Sequence, residues 1–194
     1  NHVITGGTGT ADVISVTADG NGIDIASMTT LTAFEKLTIA NDAASGAIVF
    51  DSLTAGDGVT FTIDATAQTT STSTSQFDLS DDTDATFVVS LGAGADSITG
   101  SSSDSGDSIS GGAGADVFTF GGTDLSTDDT IAGGAGTDIL QYVEANTNET
   151  IALTDFTNVT SIETLKGAAT SGLAGNLGAA ASSAGITTVT YLDA

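Results

Sequence analysis

The chain has 194 residues and a formal net charge of −23, with 25 acidic residues against two basic ones and no cysteine or proline. Because Lys36 and Lys166 are its only strong cations, nucleic acid and anionic membrane surfaces are unsuitable partners. The lack of cysteine excludes disulfides and thiolate metal sites. No apolar run approaches the length of a membrane span. No signal-like segment follows Asn1, so we expect a fragment, a processed chain or an export substrate without an N-terminal signal.

The composition favours a β protein with many turns. Hydrophobic residues make up 39% of the chain and the mean hydropathy is +0.22, which argues against the disorder that so large a charge usually accompanies. The acidic residues are 21 Asp and four Glu, and Asp favours turns where Glu favours helices. Together with 25 glycines, this composition suits narrow stacked strands better than a wide globular core.

In chain order, residues 1–64 are predicted to form a β-solenoid-like segment, with strand-like runs at 48–50 and 59–63. Residues 65–84 are rich in Thr and Ser. They are either a low-complexity linker or a polar rung of the same sheet, and composition alone does not decide between them. The acidic cluster Asp81, Asp82 and Asp84 is interpreted as an exposed loop rather than as an ion site.

Five short units occupy residues 91–141, after a strand-like run at 87–91. Each unit ends in Asp, any residue, a large apolar residue and any residue. The aligned aspartates are Asp96, Asp107, Asp116, Asp129 and Asp138, and two positions beyond them lie Ile98, Ile109, Phe118, Ile131 and Leu140. An apolar residue at the same place in all five units indicates a structural period in which this side chain points inward.

Two of these units, GGAGADVFT (111–119) and GGAGTDILQ (133–141), resemble residue for residue the nonapeptide G-G-x-G-x-D-x-U-x of RTX proteins. The unit LGAGADSIT (91–99) differs only at Leu91, and the other two units keep only the Asp-x-U half. The resemblance implies an all-β, right-handed parallel β-roll or β-solenoid, with the RTX roll over 85–142 and calcium bound between Gly/Asp turns. Glycine permits tight turns with bare carbonyl groups, and carboxylate and carbonyl oxygens suit Ca²⁺.

Alternate units lie on the same side of a roll, which predicts two stacks of aspartates. Asp96, Asp116 and Asp138 should share the side that carries every glycine-rich turn, where we expect calcium chiefly. The candidate ligands on that side are these three aspartates with Gly92, Gly94, Gly111, Gly112, Gly114, Gly133, Gly134 and Gly136. Asp107 and Asp129 follow turns that depart from the family pattern, so their occupancy stays open. Asp12, which follows an extra residue after its glycine turn, and Asp24 are further candidates.

A longer repeat relates residues 4–16 to 131–142 and residues 31–39 to 159–167, at offsets of 127 and 128. Its apolar-Glu-x-Leu passage, around Glu35 and Glu163, resembles a rung of RTX adhesins and calcium-dependent surface-layer proteins. We interpret both glutamates as rung or turn-capping residues. Residues 143–194 should continue the β rungs, with a short helix within 171–185, where Leu173, Leu177 and Ala181 have helical spacing and Gly185 takes the C′ position. A strand over 186–192 follows.

These features predict a calcium-dependent structural protein of the bacterial cell surface, of the surface-layer or adhesin type. It would be secreted by a type I system, fold on binding extracellular calcium and bind copies of itself, with cell-surface polysaccharide as the alternative ligand. Other interpretations are the secretion module of a larger enzyme and, from the pairs Thr60/Thr62 and Thr188/Thr190, an ice-binding adhesin section. A catalytic site is not expected, since the chain has one His and no Trp.

Overall fold

The protein is an all-β parallel solenoid with almost no helix, as the sequence predicts. The computed structural model describes residues 3–5, 9, 12–17, 23–24, 30–39, 47–50, 55, 58–103, 105–143, 153–168 and 178–192. From β5 (Lys36–Ile39) to β11 (Ser108–Ser110) successive strands alternate between two long parallel sheets, so that each of these coils adds one strand to each sheet. At the C-terminal end, β18 (Thr164–Ala168) and β19 (Thr188–Leu192) follow each other in the same sheet, with a short helix between them. No helix in the described ranges has the length and apolar character needed to cross a bilayer.

The strands are numbered in chain order. The eight-stranded sheet contains, in spatial order, β19 (Thr188–Leu192), β18 (Thr164–Ala168), β16 (Ile139–Tyr142), β13 (Val117–Phe120), β10 (Ser97–Thr99), β8 (Thr74–Asp78), β6 (Ala47–Phe50) and β3 (Ile23–Asp24). The seven-stranded sheet contains β17 (Val159–Thr160), β14 (Thr130–Ala132), β11 (Ser108–Ser110), β9 (Thr86–Ser90), β7 (Thr60–Asp64), β5 (Lys36–Ile39) and β2 (Val13–Val16). Two further pairs join β1 (Val3–Thr5) to β4 (Thr30–Thr32) and β12 (Ala113–Gly114) to β15 (Ala135–Gly136).

The core contains two columns of apolar side chains, one from each sheet. Because side chains alternate across a strand, parallel in-register pairing stacks every inward residue on the inward residue of the next coil. One column contains Phe77, Ile98, Phe118, Leu140 and Leu165, and the other contains Leu37, Ile63, Val89, Ile109, Ile131 and Val159. All eleven are buried. The inward position predicted for the five Asp-x-U units is therefore confirmed.

Residues 65–84 supply one strand and one corner of the solenoid. β8 lies within this stretch and pairs with both β6 and β10. Its Phe77 joins the core, and the polar side chains of Gln68, Ser73 and Ser75 are buried beside it. This polar segment is thus built into the sheet as a rung.

The C-terminal part contains a 3₁₀ turn, Leu153–Phe156, and one short helix, α1 (Gly178–Ala184). Gly185 follows α1 with a φ of +94°, and the Ile186 N–H donates to the Ala181 carbonyl at 2.9 Å, as in a glycine-terminated helix. The helix end was predicted correctly, while Leu173 and Leu177 lie outside the described residues.

The two copies of the longer repeat have the same local structure. Ala33 and Ser161 have φ values of +57° and +55° and are the only non-glycine residues with positive φ in the described part of the chain. Each stands two residues before a glutamate that binds the backbone of the preceding coil. The Asp12 N–H donates to Glu35 Oε2 at 2.6 Å, and the Asp138 N–H donates to Glu163 Oε2 at 2.8 Å. The sequence repeat is therefore also a repeat of structure.

Candidate metal centre

Four carboxylates form a hydrogen-bonded ladder along one edge of the eight-stranded sheet. Each belongs to the residue just before a strand and accepts a backbone N–H from the preceding coil. Asp96 Oδ1 accepts from Ser75 at 2.6 Å, and Asp116 Oδ1 accepts from Asp96 at 2.8 Å. Asp138 Oδ1 accepts from Asp116 at 2.9 Å, and Glu163 Oε2 ends the ladder on Asp138. One oxygen of each carboxylate thus ties two coils together.

A second ladder, on the edge of the seven-stranded sheet, leaves no carboxylate oxygen without a donor. Asp107 Oδ1 accepts from the Phe87 N–H at 2.8 Å, and Asp129 Oδ1 accepts from the Asp107 N–H at 2.7 Å. The remaining oxygens are also bound, Asp107 Oδ2 by the Ser101 hydroxyl at 2.7 Å and Asp129 Oδ2 by the Ser126 N–H at 2.7 Å. The protein itself satisfies both aspartates.

On the glycine-rich side, two of the remaining oxygens have no donor. Asp116 and Asp138 are 1% and 0% exposed, and their Oδ2 atoms are buried without a hydrogen-bond partner. An unpartnered buried carboxylate oxygen is costly, on the order of 1–3 kcal/mol or more. Asp96 differs, because its Oδ2 accepts from the Gly92 N–H at 3.3 Å.

Each of the two unpartnered oxygens packs against a neighbouring glycine, at the place where a Cβ atom would otherwise stand. A Cβ atom on Gly111 would lie 2.3 Å from Asp116 Oδ2 and 2.7 Å from the Gly133 carbonyl oxygen. A Cβ atom on Gly133 would lie 2.5 Å from Asp138 Oδ2 and 1.9 Å from the Ser161 carbonyl oxygen. We call these spaces the Gly111 cradle and the Gly133 cradle. Each is bordered by one carboxylate oxygen and by one carbonyl oxygen of the next coil.

The turn at 92–96 lacks such a cradle. Leu91 stands where the later units have Gly111 and Gly133, and its side chain is buried at 4% exposure. Asp96 Oδ2 is also occupied by Gly92. The unit in which Leu91 replaces the first glycine is therefore also the unit whose aspartate, Asp96, has both carboxylate oxygens hydrogen-bonded.

The other glycines of the predicted site let the turns stack closely. Cβ atoms on Gly94 and Gly136 would each lie 1.5 Å from the carbonyl oxygen of the coil before, and those on Gly112, Gly114 and Gly134 would lie between 2.0 and 2.2 Å from it. The stack is held by N–H donation from Ala113 to the Gly92 carbonyl at 2.8 Å and from Ala135 to the Gly112 carbonyl at 2.9 Å. Glycine is required at these positions by the backbone contacts themselves.

Burial and mutual repulsion raise the pKa values of the aspartates in this ladder. Burial raises the pKa of Asp96 to about 6. It raises the pKa of Asp116 to about 7, and the charges of Asp96 and Asp138 add to the effect. Burial also raises the pKa of Asp138, with a further contribution from Glu163. Each carboxylate would therefore gain from a nearby positive charge.

Each of the two cradles offers one carboxylate oxygen and one carbonyl oxygen. Carboxylate and carbonyl oxygens are the ligands that Ca²⁺ prefers. In the described ranges no three His, Asp or Glu side chains lie close enough to hold a metal, so a site would depend on backbone carbonyls such as those of Gly133 and Ser161.

The remaining predicted residues lie elsewhere. Asp12 is half-buried, and a Cβ atom on Gly9 would lie 3.7 Å from both of its carboxylate oxygens. The side chain of Asp24, in β3, lies outside the described part. The exposed-loop interpretation of the acidic cluster is wrong for Asp82, which is only 3% exposed. Its carboxylate accepts hydrogen bonds from the Ala85 and Ala55 N–H groups at 2.9 and 2.8 Å, and these bonds hold it inside the solenoid.

Sequence reasoning missed two kinds of residue. Ser101 and Ser126, which satisfy the second ladder, lie in turns without a recognised motif. Ser161 supplies a backbone carbonyl, for which its side chain gives no signal. Glu163 was recognised only as a rung residue, although its place in the longer repeat opposite Asp138 could have indicated a position on the ladder.

The fold defines a parallel β-solenoid with carboxylate ladders on two edges. Comparison of the chain with family models, with curated proteins and with solved structures finds no match.

Proposed function

We propose that this protein is a structural, non-enzymatic component of a bacterial cell surface, of the surface-layer or adhesin type, and that extracellular calcium orders its solenoid. The observation that carries the proposal is the buried, unpartnered Asp116 Oδ2 in the Gly111 cradle. The resemblance of residues 111–119 and 133–141 to the RTX nonapeptide supports the same conclusion.

Asp116 and the Gly133 carbonyl would hold the ion at the Gly111 cradle. When bound, calcium supplies the positive charge that the ladder lacks. The chain's own groups prepare the site: the Asp96 N–H holds Asp116 Oδ1, Asp116 Oδ2 has no protein donor, and Gly111 has no side chain that would collide with it. Extracellular calcium modules have dissociation constants of about 10⁻⁴–10⁻³ M. Such a chain would stay loose during type I export at low calcium and fold outside.

Assembly with copies of itself is supported by the end of the eight-stranded sheet. In the described part, β19 pairs only with β18. Val189 lies in register with buried Leu165, yet it is 41% exposed. An open strand edge with an uncovered apolar column favours pairing with another chain. A cell-surface polysaccharide is the alternative ligand.

Calcium titration followed by circular dichroism tests the proposal, with electron microscopy of the folded product. We expect the β-sheet signal to increase at millimolar calcium and ordered assemblies to follow. Asp116→Asn should weaken the calcium response, while Asp128→Asn, which removes an equal charge from an exposed side chain, should not. A circular dichroism signal that does not change with calcium would refute the mechanism. A chain that folds with calcium but does not assemble would refute only the self-association.

A further inference from the structure

The C-terminal end of the solenoid is covered on one sheet and open on the other. The short helix α1 contacts β17, the last described strand of the seven-stranded sheet, and the Ile162 N–H donates to the Ala184 carbonyl at 2.9 Å. Within the described ranges, no strand pairs with the outer edge of β19, which ends the eight-stranded sheet. Covering an edge with a helix keeps further strands away from it, and α1 gives this protection to one sheet alone.

The edge of β19 also lacks the side chains that usually prevent strand pairing. Its residues, Thr188–Leu192, include no proline and no charged residue, although the chain carries 25 acidic residues. Lysine, proline and inward-pointing charges are the usual protections of an edge strand. In β19 the inward position is taken by Val189, which extends the column of Leu165 and is 41% exposed. The edge is therefore suited to pairing with a further strand.

The opposite end of the solenoid has a second open edge, at β2. In the described part of the chain β2 pairs only with β5, and its residues, Val13–Val16, are also uncharged. Ile14 lies in register with Leu37, which is fully buried, whereas Ile14 itself is only partly buried. β2 therefore ends an apolar column at one end of the molecule, as β19 does at the other.

The internal repeat shows which kind of strand covers such an edge. Ile14 follows Asp12 by two positions, and Leu140 follows Asp138 by the same interval. The two aspartates make the same contact with a glutamate of the next coil, so β16 is the counterpart of β2. On the side that is open in β2, β16 pairs with β13 in parallel, and Phe118 stacks on Leu140. The edge of β2 thus matches a parallel strand with an apolar inward residue.

We propose that β19 of one molecule pairs in parallel with β2 of a second copy, with Val189 opposite Ile14, so that copies join head to tail. The proposal rests on the self-association proposed above and names its two surfaces. Every described strand pair is parallel, and this contact continues that pattern, whereas a two-fold contact between β19 strands would be antiparallel. Because the two surfaces differ, repetition of the contact gives a filament or a ring.

Cysteine cross-linking of the whole chain tests the register, because the protein has no cysteine of its own. Ser15 and Thr190 are exposed and would lie side by side across the contact, on strands about 4.8 Å apart. A mixture of Ser15→Cys and Thr190→Cys, treated with a short bismaleimide in calcium, should give cross-linked dimers. A chain that carries both substitutions should give a ladder of longer multimers.

The matched control uses a residue in the middle of a sheet. Ser108 is exposed and lies in β11, which is paired on both sides. A mixture of Ser108→Cys and Thr190→Cys should therefore give only the low yield of random collisions. The single variants Ser15→Cys and Thr190→Cys, each treated alone, should give the same low yield.

A charge at the contact gives a second test. Val189→Lys places a Lys in the open column and should abolish the multimers that sedimentation detects, while the circular dichroism response to calcium remains. Ser108→Lys adds the same charge away from the contact and should leave assembly unchanged.

Three results would overturn the head-to-tail contact. Efficient cross-linking of Thr190→Cys alone would show a two-fold contact between β19 strands, and normal assembly of a folded Val189→Lys would show a contact elsewhere. Either result leaves the proposed self-association in place. If the wild-type chain folds with calcium and stays monomeric, the head-to-tail contact and the self-association are both wrong, and only the calcium mechanism stands.

Discussion

Each aspartate of the ladders has two oxygens with separate tasks. One oxygen of Asp96, Asp107, Asp116, Asp129 and Asp138 binds a backbone N–H of the preceding coil, so these residues stabilise the stacking of coils without any ion. The hydrogen bonding of the second oxygen differs between the two edges. On one edge protein groups satisfy it, and on the other it is left unpartnered in Asp116 and Asp138. An Asp in this motif therefore marks a coil contact, and its second oxygen decides whether it can also be a metal ligand.

The raised pKa values predict that the calcium-free protein is more stable in mild acid. The pKa values of about 6 for Asp96 and about 7 for Asp116 lie above the ordinary 3.8. Between pH 3.8 and these raised values, the folded chain binds more protons than the unfolded chain. The free energy of unfolding therefore falls as the pH rises through this range. Thermal unfolding in a chelator should give a higher Tm at about pH 5 than at about pH 8, and added calcium should reduce the difference.

Asp116→Asn serves as the control for this pH dependence. Asparagine keeps an oxygen for the Asp96 N–H, and its amide group replaces the unpartnered charge. At about pH 8 without calcium, the variant should be more stable than the wild type by about 1–3 kcal/mol and should show a smaller pH dependence. Equal Tm values for the wild type at both pH values would contradict the assignment of these shifts.

The glycine turns and the strands are held by different forces. The strands stack because apolar columns fill the interior, whereas the turns stack because glycines allow carbonyl groups to approach the next coil. The small sheet of β12 and β15 shows this approach, since a Cβ atom on Gly136 would lie 1.5 Å from the Gly114 carbonyl oxygen. Calcium is thus proposed to act on turns whose geometry the backbone already specifies.

Gly136→Ala is predicted to disrupt this stack. Gly136 has a φ of +148° and the contacting atom belongs to the backbone, so relief requires the turns to separate. We expect a loss of more than about 3 kcal/mol in unfolding free energy, measured by thermal or urea denaturation. Gly58→Ala is the matched control, because Gly58 also has positive φ but its Cβ atom would meet nothing within 4 Å. Its cost should be about 1–2 kcal/mol from the backbone alone, and similar losses in both variants would contradict the close-stacking explanation.

The sequence predicts the strands well and the site in part. The Asp-x-U period identifies the inward column and the two aspartate stacks, because strand alternation depends only on local spacing. The unpartnered oxygens could not be derived in this way. They depend on the Leu91 side chain at one end of the stack, on Ser161 in a coil far along the chain, and on the donors Ser101 and Ser126 at the other edge. Each is a contact between coils that no single nonapeptide encodes.

At the scale of the whole molecule, each coil contacts only its neighbours, as in other repeat proteins. Long-range order must then pass from coil to coil, and the net charge of −23 opposes it throughout. A bound divalent ion would offset only a small part of that charge. Repulsion between exposed carboxylates, such as those of Asp81, Asp84 and Asp128, is screened by salt, whereas repulsion within the buried ladder is screened much less.

Salt and calcium should therefore stabilise the chain by separable amounts. Raising NaCl from about 0.05 to about 0.5 M shortens the screening length severalfold and should raise the Tm of the calcium-free protein modestly. Millimolar calcium added at high salt should raise it further, since buried carboxylates are poorly screened. If calcium added at high salt causes no further increase in Tm, general screening of charge, and not binding at the cradles, accounts for the effect.

The duplicated Asp–Glu contact lies on both sheets. Its first copy joins β2 to β5 in the seven-stranded sheet, and its second joins β16 to β18 in the eight-stranded sheet. The copies are therefore out of phase by half a turn of the solenoid, and the same passage forms the same corner on either side. The unit of growth is thus the half-coil of one turn and one strand. Such a solenoid can therefore lengthen by half a coil, and related corner sequences can serve either sheet.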